Sequence, residues 1–257
     1  MENLRFIGII PARYASTRFP GKPLAQLGGH SVIERVWMQV SQVLSNVIVA
    51  TDDERIVAEV NRFGGKAVMT RADHKSGTDR CFEAYEKNGG GEDVIINIQG
   101  DEPFVSAEQL RSIMQCFDAP LTDIATLVKP FPPTRPFPEL SNPNSPKVVV
   151  DKNMNARYFS RSVIPYVRGI EPEDWPKSTQ FYTHLGMYAY RAKVLEQITR
   201  LPQSPLEIAE SLEQLRWIEN GYTIRVGISN EETIGIDTPQ DLARAEEFLS
   251  LCAGSER

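Results

Sequence analysis

Residues 5–23 read Arg5-Phe6-Ile7-Gly8-Ile9-Ile10-Pro11-Ala12-Arg13-Tyr14-Ala15-Ser16-Thr17-Arg18-Phe19-Pro20-Gly21-Lys22-Pro23. The first six form a short apolar run with no helical period, stopped at Pro11, as a strand buried on both faces would be. Residues 11–23 are punctuated by Pro20, Gly21 and Pro23 and carry Arg13, Arg18 and Lys22, so they read as a loop. From Leu4 to Ile33 there is no Asp or Glu, in a chain whose net charge is −6. A cationic loop after a buried strand, with little bulk at Ala12, Ala15 and Gly21, can wrap phosphates with backbone N–H groups and cationic heads together. Charge alone leaves open that these are solvated loop cations. The Walker A spacing is missing and no dinucleotide fingerprint follows a strand, since Gly89-Gly90-Gly91 precedes one. ATPase and dehydrogenase readings drop out.

Working outward, the pattern repeats. Ser31 caps a helix with Glu34 at the capping-box position, and Val47 to Ala50 is a second strand. A helix over 53–63 closes on Gly64-Gly65; 66–69 is a strand, 78–87 a helix, 94–98 a strand and 106–117 a helix. Strands apolar on both faces, alternating with helices, predict an α/β fold with a mostly parallel central sheet and helices on both faces. Ligands then bind at the carboxyl ends of the strands, where the loops 11–23, 71–78 and 99–103 fall.

From about residue 119 the rhythm changes. Residues 130–146 hold seven prolines, where no helix or strand is expected. Val148 to Val150 and Ala156 to Phe159 predict a hairpin around the 151–155 turn, a β-rich excursion over about 130–190 within a single domain spanning 1–257. Residues 184–190 and 222–228 read as strands. Ser204 to Asn220 reads as one helix, and a last helix opens at Thr238-Pro239 and runs to about Leu251.

A chain of 257 residues, 41% hydrophobic, is long enough to bury a core without disulfide or metal staples. Its three cysteines, Cys81, Cys116 and Cys252, are far apart and form no CxxC pair, which points to a reducing compartment. No apolar h-region opens the chain and no stretch approaches a membrane span, so the expected compartment is the cytoplasm. The acidic balance argues against a nucleic-acid partner.

Two further turns carry carboxylates. Gln99-Gly100-Asp101-Glu102-Pro103 follows a strand, where Asp101 could hold Mg²⁺ against phosphate oxygens, although an ordinary Asp-containing turn is the commoner explanation. Gly235-Ile236-Asp237-Thr238-Pro239 offers a second hard ligand in Asp237, or simply a helix cap; both can hold. His30, His74 and His184 have no ligand spacing for zinc, and nothing supports covalent nucleophilic catalysis.

The segments IIPARYASTRFPGKPL, TRADHKSGTDR, NIQGDEP, NPNSPKVV, YFSRSVIPY, HLGMYAYR, SPLEIAESLEQLRWIENG and GIDTPQDL, in this order from about Phe6 to Ala245, resemble the 3-deoxy-manno-octulosonate cytidylyltransferase (CMP-Kdo synthetase) family. The resemblance implies CMP transfer from CTP to the anomeric hydroxyl of 3-deoxy-D-manno-octulosonate (Kdo), with loss of pyrophosphate, for lipopolysaccharide synthesis. It implies Mg²⁺, a nucleotide-diphospho-sugar transferase-like, Rossmann-related fold with a smaller dimerisation lobe, and a cytoplasmic homodimer. It assigns Pro11 and Ala12 to nucleotide binding, Arg13, Arg18 and Lys22 to the triphosphate, and Arg71, Ser76 and Gly77 to the base. Asp101 and Asp237 would hold the metal, with Lys22, Arg13 and both aspartates catalytic. Gln99, His184, Tyr188, Glu210, Gln214 and Arg161 would meet the sugar, Glu210 and Gln214 lying at i and i+4 on one helix face and Arg161 or Lys147 serving its carboxylate. A transferase for another acid sugar, such as a sialic acid, is the nearest alternative; a catalytically silent nucleotide-binding protein on the same fold is another.

Overall fold

In the computed structural model, which describes residues 4–231 and 234–255, the opening apolar run becomes β1 (Phe6–Ala12). A two-strand ribbon of β2 (Gln26–Leu27) and β3 (His30–Ser31) leads into α1 (Val32–Ser41). The Ser31 hydroxyl accepts the Glu34 N–H at 3.3 Å, the cap the sequence predicts. Then come β4 (Val47–Thr51), α2 (Glu54–Arg62), β5 (Lys66–Met69), α3 (Gly77–Lys87) and β6 (Val94–Asn97). β1 pairs in parallel with β4 on one side and β6 on the other, and β4 pairs in parallel with β5. Ile7, Ile9, Ile10, Ile48, Val49, Ile95 and Ile96 are fully buried, as strands covered on both faces must be. The fold is α/β with a parallel sheet.

The chain divides into two compact units: residues up to Leu110 with the C-terminal segment form one, and Arg111–Glu231 the other. The excursion anticipated over 130–190 falls within the second. In the first unit, the C-terminal segment ends in α10 (Pro239–Ser255). The Ile236 N–H donates to the Asp101 carbonyl at 2.8 Å, and Ile236 and Ala245 share a core cluster with Leu27 and Val32, against which Phe19 of the cationic loop packs. The two ends of the chain are thereby stitched side by side.

Beyond α4 (Ala107–Gln115) the second unit holds β7 (Ile124–Pro130), α5 (Phe137–Leu140), β8 (Lys147–Val150) and β9 (Ala156–Ser160). Next come α6 (Trp175–Ser178), β10 (Tyr182–Arg191), α7 (Ala192–Ile198), α8 (Pro205–Glu210), α9 (Gln214–Glu219) and β11 (Ile224–Ile228). β8 and β9 form the expected antiparallel hairpin; β10 runs antiparallel to β7, and β11 parallel to it. Strand β7 and helix α7 carry no local signal that the sequence reading used, and the proline-rich segment does fit one helical turn, α5.

The single helix expected over 204–220 is a correction: Ser211 adopts φ +50° and breaks it into α8 and α9. The Arg161 guanidinium donates to the carbonyls of Glu210 (2.6 Å) and Ser211 (3.2 Å), so the backbone groups that the break frees are satisfied from a distant element. Glu210 and Gln214 therefore lie on two different helices, not four apart on one face.

Candidate active site

The cavity is assembled from the three loops that follow β1, β5 and β6, with one residue from the C-terminal turn. It has a volume of about 380 Å³. From the first loop its lining takes Pro11 to Arg13, Ser16 to Arg18, Lys22 and Pro23; from the second, His74 to Gly77 and Arg80. The third loop contributes Gln99 to Asp101, and the C-terminal turn Asp237. Loops at the carboxyl ends of parallel strands converge because the strands all point the same way.

Lys22 is placed by the turn before it. The Tyr14 carbonyl accepts the N–H groups of Ser16 (3.0 Å) and Gly21 (2.9 Å), folding the loop back on itself. Gly21, at φ +73°, then starts a short 3₁₀ turn over Lys22–Leu24 with Pro23 buried inside it. The Lys22 ammonium lands 2.6 Å from Asp101 Oδ2 and 3.3 Å from Asp237 Oδ1, with its side chain 13% exposed. The more exposed Arg18 guanidinium reaches Asp237 Oδ2 at 3.1 Å. Two aspartates from widely separated turns thus meet around one ammonium.

Asp101 owes its position to Gly100. A Cβ there would stand 2.6 Å from the Pro11 carbonyl oxygen, so the chain crosses the end of β1 where only glycine fits. Next to it, burial and the charge of Asp101 push the Glu102 carboxyl up to about 7.

The second loop is fastened to α3. The Ser76 hydroxyl caps that helix by accepting the Asp79 N–H at 3.1 Å. Burial opposes ionisation of Glu83, but the Lys87 ammonium, the Arg71 N–H and His74 outweigh it and hold the carboxyl down at about 2. Ser76 and Gly77 line the cavity, whereas Arg71 does not: its guanidinium is exposed and lies 3.4 Å from Asp73. Sequence reasoning missed Lys75 and Arg80. Arg80 is buried, its guanidinium 2.6 Å from the Thr70 hydroxyl and 3.2 Å from Asp52, yet it lines the cavity. Its place in TRADHKSGTDR was the available signal. Five cationic side chains (Arg13, Arg18, Lys22, Lys75, Arg80) against two carboxylates make a lining suited to a polyphosphate.

The aspartates suit a hard divalent cation. Both present oxygen, both already converge on a positive charge, and Mg²⁺ takes one or two carboxylates with phosphate oxygens and water completing its shell. Among the described residues no group of three or more His, Cys, Asp or Glu could hold a metal, so a nucleotide would have to supply further ligands.

The remaining candidates belong to the second unit. The Thr126 hydroxyl lies 2.9 Å from His184 Nε2, and the His184 ring sits 5.2 Å from those of Phe159 and Tyr188. Burial pushes His184 down to about 3, so it is a neutral imidazole at pH 7. The Glu210 carboxylate accepts the Ser160 hydroxyl (2.7 Å) and the Arg161 N–H (2.9 Å). Gln214 is buried with its side-chain Nε2 unpartnered. Arg161 spends Nε, Nη1 and Nη2 on the carbonyls of Glu210, Pro143 and Ser211, and Lys147 is fully buried with its ammonium on the carbonyls of Asn142 and Ser145. Both cations act as braces for loops.

Comparison with known proteins is in keeping with this arrangement. A family described as cytidylyltransferase matches residues 7–228. A 3-deoxy-manno-octulosonate cytidylyltransferase of Phocaeicola vulgatus is 67% identical over 251 residues, 98% of this chain and 100% of the relative. One from Bacteroides thetaiotaomicron is 65% identical, covering 96% and 98%. Among solved structures, a CMP:2-keto-3-deoxy-manno-octonic acid synthetase complexed with CTP superposes with a TM-score of 0.88 at 40% identity, over 96% of this chain and 99% of the other. A thymidylyltransferase from Bacillus anthracis, 17% identical with a TM-score of 0.64, shares the fold.

Proposed function

The chain belongs to the cytidylyltransferase family, in the branch of the 3-deoxy-manno-octulosonate cytidylyltransferases, and from that premise we propose how its residues carry the reaction. The enzyme transfers CMP from CTP to the anomeric hydroxyl of Kdo. The sugar oxygen attacks the α-phosphorus, the bond to the β-phosphate oxygen breaks, pyrophosphate departs and the hydroxyl proton is lost. Such transfers need in-line positioning and charge neutralisation more than covalent catalysis.

The observation that carries this reading is the Lys22 ammonium shared by Asp101 and Asp237 inside a cationic cavity. Arg13, Arg18 and Lys22 hold the triphosphate, and Lys22 neutralises the charge that builds on the leaving pyrophosphate. Pro11 and Ala12 let the nucleotide approach the end of β1, and Ser76 and Gly77 read the base with hydroxyl and backbone groups. Asp101 and Asp237 would hold Mg²⁺, which would neutralise phosphate charge and lower the pKa of the attacking hydroxyl. Gln99 orients the sugar from the nucleotide loop. The enzyme acts as a cytoplasmic homodimer in lipopolysaccharide synthesis. No helix among the described residues is long and apolar enough to cross a membrane.

The sialic-acid alternative is not favoured, since the close relatives carry the Kdo name. Pyrophosphate release with CTP, Mg²⁺ and each sugar tests the choice: turnover with Kdo, abolished by EDTA and restored by Mg²⁺, is the expected result. Turnover with sialic acid but not Kdo would overturn it.

A further inference from the structure

Tyr14 belongs to the cationic loop but does not line the cavity. Its ring is covered by the Arg55 guanidinium, whose central carbon stands 3.3 Å from the ring centroid. That guanidinium is held in turn by Asp53, which accepts Nε at 2.9 Å and Nη2 at 2.7 Å. The fork fixes the plane of the guanidinium, so it stacks on the ring in one orientation. Tyr14 also packs on Gly21: a Cβ there would lie 3.1 Å from Cε2 and Cζ of the ring, and the Gly21 N–H donates to the Tyr14 carbonyl. Gly21 directly precedes Lys22.

We propose that Arg55 is a positioning residue, clamping the Tyr14 ring onto Gly21 so that the loop presents Arg13, Arg18 and Lys22 to the nucleotide. The proposal deepens the functional reading above and rests on it for the identity of the nucleotide. Arg55 sits on the first turn of α2 with its side chain 58% exposed, and an ion pair at that exposure adds little to global stability. What the contact does is order the loop. A loop without its clamp spends part of its time in forms that cannot hold triphosphate, and apparent affinity falls by the competent fraction. The loop that CTP does capture is the ordered one, so the clamp acts on nucleotide capture and not on the chemical step.

The test compares Arg55→Ala, Tyr14→Leu, the double variant and Tyr14→Phe. Arg55→Ala and Tyr14→Leu each raise KM for CTP about fivefold with kcat within about twofold, the size of one exposed cation–π contact. The double variant does no worse than the poorer single one, because both remove the same contact. Tyr14→Phe keeps the ring and stays near wild type. A second readout needs no nucleotide: tryptic cleavage after Arg13 and Arg18 runs about fivefold faster in Arg55→Ala, tracking the opened loop. An unchanged KM in Arg55→Ala, effects that multiply in the double variant, or unchanged cleavage would each overturn the clamp. A wild-type chain inactive with CTP and Kdo would sink the functional reading instead, and cleavage would still decide the clamp.

Discussion

Lys22 stands where a hard cation would stand, between Asp101 and Asp237 and mostly withdrawn from solvent. A divalent cation there would compete with its ammonium for the same carboxylate oxygens and would leave the lysine to phosphate. Asp101→Asn removes one charged ligand without removing bulk. Turnover falls by at least about a hundredfold, as when a group aimed at developing charge is lost, while CTP still binds through the cationic loop. Unaltered kcat in that variant would refute the metal role. Lys22→Ala differs: KM for CTP rises and kcat falls together, because the residue serves both binding and leaving-group charge. Gly100→Ala tests the backbone beneath the carboxylate. Its methyl would meet the Pro11 carbonyl oxygen at 2.6 Å, a backbone atom that no rotamer change can move. The expected cost is about 1–3 kcal/mol in urea denaturation, with a loss of kcat because Asp101 shifts.

At the scale of elements, the break at Ser211 makes the sharpest prediction. A β-branched residue at φ +50° is strained, so Ser211→Val lowers stability by about 1–2 kcal/mol, read as a shifted urea midpoint. An unshifted midpoint would mean that α8 and α9 tolerate rejoining. Pro205 at a first helical position and Gly221 just past the end are local signals, which is why 204–220 reads as one helix; the carbonyls freed at the break are met by Arg161, about fifty positions upstream. Legibility elsewhere follows the same division between local and distant causes. β1, β4 and β6 were readable because strands buried on both faces leave unbroken apolar runs, and α1 because Ser31 and Glu34 make a local cap. The first and third site loops were readable because proline, glycine and charge cluster within a few residues. Arg80 was not, since on α3 it looks like any helix cation until the fold buries it against Thr70 and Asp52. The Arg55–Tyr14 stack joins two segments some forty positions apart and has no sequence signature.

Across the whole molecule, buried titrating groups of opposite sign set how stability follows pH. His184 is held neutral by burial, down to about 3 from an ordinary value of 6.5. Its depressed folded-state value means the folded form gains no proton where the unfolded chain does, so stability present above pH 6.5 is lost as pH falls below it. Between pH 6.5 and 4.5 that amounts to about 3 kcal/mol at most, since each unit is worth about 1.4 kcal/mol. Glu102 works the other way: burial, with the charge of Asp101, raises it to about 7, so the folded form takes its proton first and the stability it adds grows as pH falls from 7 toward 4.5. Two salt-bridged carboxylates enter later. Burial resists the ionisation of Asp241, but Arg244, the Thr238 hydroxyl and the N–H groups of Asp237 and Thr238 hold it at about 2, as similar partners hold Glu83. Their stabilisation is complete above about pH 4.5 and is lost as pH falls toward 2, by about 2–3 kcal/mol each. Urea midpoints measured from pH 8 to 4 should therefore stay nearly level between pH 6.5 and 4.5 in the wild type, where His184 and Glu102 oppose each other, and fall below 4.5. His184→Asn, which removes the titrating ring and keeps a polar partner for Thr126, should leave Glu102 unopposed, so that midpoints rise as pH falls from 6.5 to 4.5, and keep the fall below 4.5 in place. Identical slopes in both proteins would show that His184 is not the group that offsets Glu102.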